Sequence, residues 1–126
     1  MSRNIVTSQN APAAVGPYSQ AVWNGDTLFM SGQIPLEPKT LKVVEGDVSA
    51  QTQQVFMNIK AVLEEAGLSL ENAVKLTVFL TDMNDFAAVN AVYEKQFEAP
   101  YPARSAIAVA ALPLGVQVEI EVIARR

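Results

Sequence analysis

The end of the chain most constrains what it can fold into. Val116, Val118, Ile120 and Val122 alternate strictly with Gln117, Glu119 and Glu121. Successive side chains of a strand point to opposite faces, so one face here is wholly aliphatic and the other polar. A strand of this kind belongs to a sheet that is covered on one side only. The cover is also written in the sequence. Between Asp47 and Ala66 the apolar positions Val55, Ile59, Val62, Leu63 and Ala66 recur at intervals of three and four, the spacing of a helix with one buried stripe. Asp47 or Ser49 can cap its start, and Gly67 suits the left-handed residue that ends it.

The remaining elements fall between turn signals. Tyr18–Trp23 and Thr27–Ser31 flank Asn24-Gly25-Asp26, which predicts a hairpin with a type I′ turn. Ile5–Thr7 is a short first strand, and Gln33–Gly46, with Pro35 and Pro38, is a long loop. Val74–Leu80 is β-branched and aromatic, with both faces largely apolar, and reads as an interior strand. Asp82 opens a second helix with the stripe Phe86, Val89, Tyr93 and Phe97, and Arg104–Val109 and Val116–Ala124 complete the strands. The order is β-β-β-α-β-α-β-β: an α+β sandwich, one domain over residues 1–126, with two helices on one sheet face.

Composition narrows the chemistry. The 126 residues include no Cys and no His. That excludes a disulfide framework, a cysteine nucleophile, a Ser-His-Asp triad and imidazole or thiolate metal sites. The net charge is −4, and apart from Arg125-Arg126 the cations are scattered, which disfavours a nucleic-acid binder. The longest strictly apolar run, Ala106–Leu112, has seven residues, and no apolar segment follows Met1-Ser2-Arg3-Asn4. A cytoplasmic protein without a membrane span is expected. Half the residues are apolar and only 17% are charged, so surplus apolar surface points to an oligomer. No glycine-rich phosphate loop occurs, the five Lys are dispersed, and Asp82 and Asp85 read as helix-start acids rather than metal ligands. Trp23 reads as packing or interface.

Several polar residues fit the pattern poorly. Arg104 is the only Arg between Arg3 and Arg125, and the apolar residues after it predict a poorly solvated setting. It either pairs internally with Glu119 or Glu121 or grips a ligand carboxylate with two parallel hydrogen bonds. Glu119 and Glu121 either belong to a solvated outer face, the reading preferred for Glu121, or one of them orients a water molecule near Arg104. Asn90 sits on the second helix's apolar stripe and either satisfies a loop group or serves a ligand. Tyr18, after Gly16-Pro17, is a strand aromatic or a donor to a bound carboxylate.

Four motifs together resemble those of the Rid family, the reactive intermediate deaminases also called YjgF. They are Gly16-Pro17-Tyr18-Ser19-Gln20, Ser31-Gly32-Gln33-Ile34-Pro35, Pro102-Ala103-Arg104-Ser105 and Val118-Glu119-Ile120-Glu121. Asn84-Asp85-Phe86 and Val89-Asn90-Ala91-Val92-Tyr93 match as well, and the likeness runs from Ala11 to Ala124. The resemblance implies a chorismate-mutase-like fold with a mixed sheet, assembled as a homotrimer with three clefts between subunits. It implies hydrolysis of 2-aminoacrylate and 2-aminocrotonate, as imines, to 2-oxo acids and ammonia. Such intermediates leave pyridoxal-phosphate-dependent dehydratases, which gives a functional link rather than a bound cofactor. By position, Arg104 would hold the substrate carboxylate and Glu119 would orient water. Tyr18, Ser31, Gly32 and Asn90 would line the cleft, and the backbone at Ala106 would contribute hydrogen bonds. Ala106 stands where many deaminating members carry Cys, so thiol-linked redox behaviour is excluded here.

The missing His is no objection to this reaction. An iminium carbon is already electrophilic, so orientation and one placed water can supply the needed acceleration without metal or cofactor. The alternative is a non-catalytic module that binds small molecules as a regulator of purine or amino-acid metabolism.

Overall fold

The aliphatic face of the last strand lies at the centre of the molecule. The computed structural model describes residues 2–126. Its strands are β1 (Asn4–Val6), β2 (Ala21–Asn24), β3 (Thr27–Met30), β4 (Ala73–Leu80), β5 (Ala103–Ala108) and β6 (Val118–Arg125), and its helices are α1 (Val48–Glu65) and α2 (Phe86–Glu94). They form one six-stranded sheet in the order β1-β2-β3-β6-β4-β5. Only β4 and β5 run parallel, joined across α2, so the sheet is mixed. The predicted element order holds throughout.

Register decides what each face carries. Opposite the aliphatic positions of β6, Leu76 pairs with Val122, Val78 with Ile120 and Leu80 with Val118. All six are buried against the helices, together with Val55, Ile59, Val62 and Leu63 of α1. Each fully buried Leu or Ile stabilises the fold by about 2 kcal/mol. Asp47 caps α1, its carboxylate accepting from Ala50 N–H at 3.0 Å, and Gly67 closes it at φ +77°. The opposite sheet face has no helix over it. It presents Phe29 and Ile107, 46% and 45% exposed, alongside Thr77, Phe79, Glu119 and Glu121. Among the described residues no helix is long and apolar enough to cross a membrane.

Three local expectations are corrected. The strand begins at Ala21, not Tyr18, because Tyr18 N–H is engaged by Gly16 carbonyl at 2.8 Å in a turn. The hairpin pairs Asn24 with Thr27, which leaves Gly25 and Asp26 in the turn, and only Gly25 has positive φ. That sign pattern is type II′ rather than I′. Asp82 does not open α2: its carboxylate accepts from Asn84 N–H at 2.9 Å, capping a separate turn, Met83–Asp85, before the helix begins at Phe86. Both acids are thus helix-start groups, as expected.

Candidate active site

Arg104 is exposed, not poorly solvated. It pairs with Leu76 on the helix-covered face of β4, but β5 is an edge strand, so its guanidinium reaches past the core to solvent. The side chains in direct contact with it are neutral. Its Nη1 donates to Asn90 Oδ1 at 2.7 Å, and its guanidinium carbon lies 4.6 Å from the centre of the Tyr93 ring and 5.3 Å from that of Phe86. These are cation–π distances. All three partners come from α2, and their spacing puts them on one helix face.

Of the two readings of Arg104, the internal ion pair with Glu119 or Glu121 is not formed among the described residues. Glu119 and Glu121 pair with Phe79 and Thr77, whose side chains leave the other side of the sheet from Leu76 and Arg104. Among the described residues, the one ion pair is Arg126 with Asp26 at 3.2 Å, which does not involve Arg104. The guanidinium is therefore oriented without being neutralised. It opens on a cleft of about 410 Å³ shared with Asn90, Tyr93, Glu94, Tyr101 and Pro102; the Glu94 carboxylate lines the cleft but forms no ion pair with Arg104. The Tyr93 hydroxyl is buried without a partner, and burial raises its pKa while nearby Arg104 opposes the rise.

Glu119 lies in a second cleft, of about 540 Å³, with Tyr18, Ser31, Gly32, Ile34 and Leu36. Gln33 explains how these meet. Its N–H donates to Ile120 carbonyl at 2.8 Å and its carbonyl accepts from Ile120 N–H at 3.1 Å, extending the sheet by one rung. Gly32 is thereby pressed onto Glu119: a Cβ at Gly32 would stand 2.9 Å from the Glu119 carboxyl carbon. With the Glu119 carboxylate in this position, only a hydrogen fits at Gly32. Ser31 Oγ donates to Ser19 carbonyl at 2.6 Å, tying the two motif segments together. Burial, and secondarily the charge of Glu121, raises the Glu119 pKa. Glu121 itself is exposed, as preferred from sequence.

The predicted site residues thus fall into two groups. Tyr18, Ser31, Gly32 and Glu119 share one cleft; Asn90 and Arg104 share the other. Ala106 lies on the helix-covered face and packs partly against the core. Asn90 meets Arg104, not a loop group.

A polar stripe on α1 also supports the cleft. Asn58 Nδ2 donates to the carbonyls of Ile34 at 3.1 Å and Leu36 at 3.0 Å, and Gln54 Nε2 donates to Asn58 Oδ1 at 3.0 Å. Gln51 Oε1 accepts from Gln117 N–H at 2.9 Å. These three hold the cleft wall and the start of β6. Their spacing of three and four, beside the apolar stripe, is the signal that marks them. Gln20 does the same for the N-terminal wall, donating to Pro12 carbonyl at 2.9 Å.

A small α+β chain with a covered sheet face, an unneutralised guanidinium and a recessed carboxylate is the class of protein these features define. Residues 8–126 match the family model described as endoribonuclease L-PSP. The chain is 54% identical to the 2-iminobutanoate/2-iminopropanoate deaminase of Salmonella typhimurium, over 100% of this chain and 99% of that one. It superposes on RidA of an Antarctic Psychrobacter with a TM-score of 0.94 at 51% identity, covering 98% and 100% of the two chains. For Escherichia coli TdcF with bound serine, the values are 0.93, 47%, and 98% of each chain. The chain belongs to the Rid (YjgF) family.

Proposed function

We propose that this protein hydrolyses 2-imino acids to 2-oxo acids and ammonia. The observation that carries the reading is Arg104, held by an amide oxygen and two aromatic rings yet paired with no carboxylate among the described residues. A guanidinium oriented in this way is ready for a bidentate carboxylate ligand. Glu119 directs a water molecule to the imine carbon. The water oxygen bonds to that carbon, the C–N bond breaks, and the two water protons pass by way of Glu119 to the departing nitrogen, leaving a carbonyl and ammonia.

Arg104 and Glu119 leave opposite sheet faces, so a site using both draws them from two copies of the chain. The half-exposed Phe29 and Ile107 on the uncovered face support assembly through that face, and a closed ring of three gives three equivalent composite sites. The substrates belong with enzymes that release enamines, such as pyridoxal-phosphate-dependent dehydratases. The deaminase name of the Salmonella relative and the serine bound by TdcF favour a small amino-acid-like ligand. A ribonuclease reading gains nothing from a chain of net charge −4 without His. A cytoplasmic setting fits the proposed substrates.

The test couples a serine dehydratase to pyruvate formation. Wild-type protein accelerates release of pyruvate, and Arg104→Ala returns it to the uncatalysed rate. Equal acceleration by both proteins rejects the assignment. A keto acid that binds in a calorimeter without any turnover turns the protein into a sensor.

A further inference from the structure

The two most exposed large apolar side chains among the described residues are Val15, 71% exposed, and Leu114, 70% exposed. Both line the cleft that contains Glu119, although they lie 99 positions apart in sequence. Leu114 is also held in an unfavourable backbone conformation, φ 56° and ψ 19°, which a leucine rarely adopts. The tip is fixed rather than loose. Val116 N–H donates to Pro113 carbonyl and Gly115 N–H to Leu112 carbonyl, each at 3.2 Å, and the Pro113 ring restricts the approach. Strain of this sort persists where the surroundings impose it, and here it holds an aliphatic side chain at a cleft mouth.

The cleft is accordingly mixed in character. Its wall carries the apolar side chains of Val15, Ile34, Leu36 and Leu114 together with the polar ones of Gln20, Ser31, Gln33 and Glu119. A substrate whose side chain is a methyl group is too small to cover that wall. We infer that Leu114 is a specificity-determining residue, and that the preferred ligands are 2-imino and 2-oxo acids with a branched aliphatic side chain of about four carbons, whose tail lies along Leu114 and Val15. The inference rests on the deaminase reading for the imines, but the apolar preference is measurable without turnover.

Calorimetric titration of the full chain with 4-methyl-2-oxopentanoate and with pyruvate reads it directly. The branched acid binds about tenfold more tightly, the low end of what an apolar pocket gains from aliphatic groups. Leu114→Asn retains a residue that tolerates the left-handed region, and Leu114→Gly removes the side chain without strain. In both, the preference collapses to about twofold or less. Dissociation constants for the two acids within twofold in wild type overturn the inference. So does a preference unchanged in both variants, or a rim covered by a second copy, which shows as altered assembly of Leu114→Asn without any ligand preference. The deaminase reading has its own readout: imines generated from leucine and alanine by an amino-acid oxidase. If neither is hydrolysed faster than in buffer, that reading fails while the calorimetric ratio still decides the role of Leu114.

Discussion

Replacing Asn90 by Asp separates binding from stability at the guanidinium. The side chains have nearly the same shape, so Asp Oδ1 occupies the position now 2.7 Å from Arg104 Nη1. As a structural contact the change is favourable: a bond from a charged donor to a neutral acceptor becomes an ion pair, worth up to about 1 kcal/mol more at so exposed a site. As a ligand site the change is harmful. A substrate carboxylate on the same guanidinium sits about 6 Å from the new charge, and at an effective dielectric constant of about 20 to 40 the repulsion is about 1.5–3 kcal/mol. The expected result is a melting temperature equal to or slightly above wild type, with a dissociation constant for 2-oxobutanoate raised about ten- to hundredfold. Scanning calorimetry and isothermal titration read the two quantities. Unchanged or tighter binding by Asn90→Asp refutes the idea that Arg104 is kept un-neutralised for an incoming anion.

Further outcomes follow from the same geometry. Gly32→Ala pushes the Glu119 carboxylate out of place and lowers kcat at least tenfold while the circular dichroism spectrum stays that of a folded chain. Asn58→Ala leaves the buried carbonyl of Leu36 and the part-buried one of Ile34 without their donor, costing about 3 kcal/mol and about 10 °C in melting temperature. Glu119 has a folded-state pKa above its unfolded value, so it contributes no penalty below the unfolded pKa and destabilises the fold once pH rises past the folded one. Glu119→Gln therefore raises the melting temperature at neutral pH and leaves it unchanged in strong acid. Glu121→Gln removes a charge that helps raise the Glu119 pKa, so the acid limb of the pH–rate profile moves to lower pH.

Much of the fold was legible because period and burial coincide. The alternation of β6 and the three-and-four stripe of α1 each encode one buried face, and the described core joins those two faces. The turn chemistry was less legible, since Asn-Gly favours one hairpin type while the pairing of Asn24 with Thr27 shifts the turn by a residue. Arg104 shows the deeper limit. Its apolar sequence neighbours predict burial, but the position of β5 at the sheet edge exposes it, and strand order is not a local property. The separation of Arg104 from Glu119 likewise depends on the pairing of both strands with β4. Phe86 and Tyr93 looked like core positions; that their rings also face a cation follows from α2 packing beside that edge.

Mixing two inactive proteins probes the two-copy arrangement most directly. Arg104→Ala and Glu119→Gln are refolded together at equal concentration, and imine hydrolysis is compared with each variant alone. If every working cleft borrows its cation from one subunit and its acid from the next, random assembly leaves about a quarter of the clefts intact. Recovery of about a quarter of wild-type activity is the predicted result; a mixture no more active than its parents contradicts it.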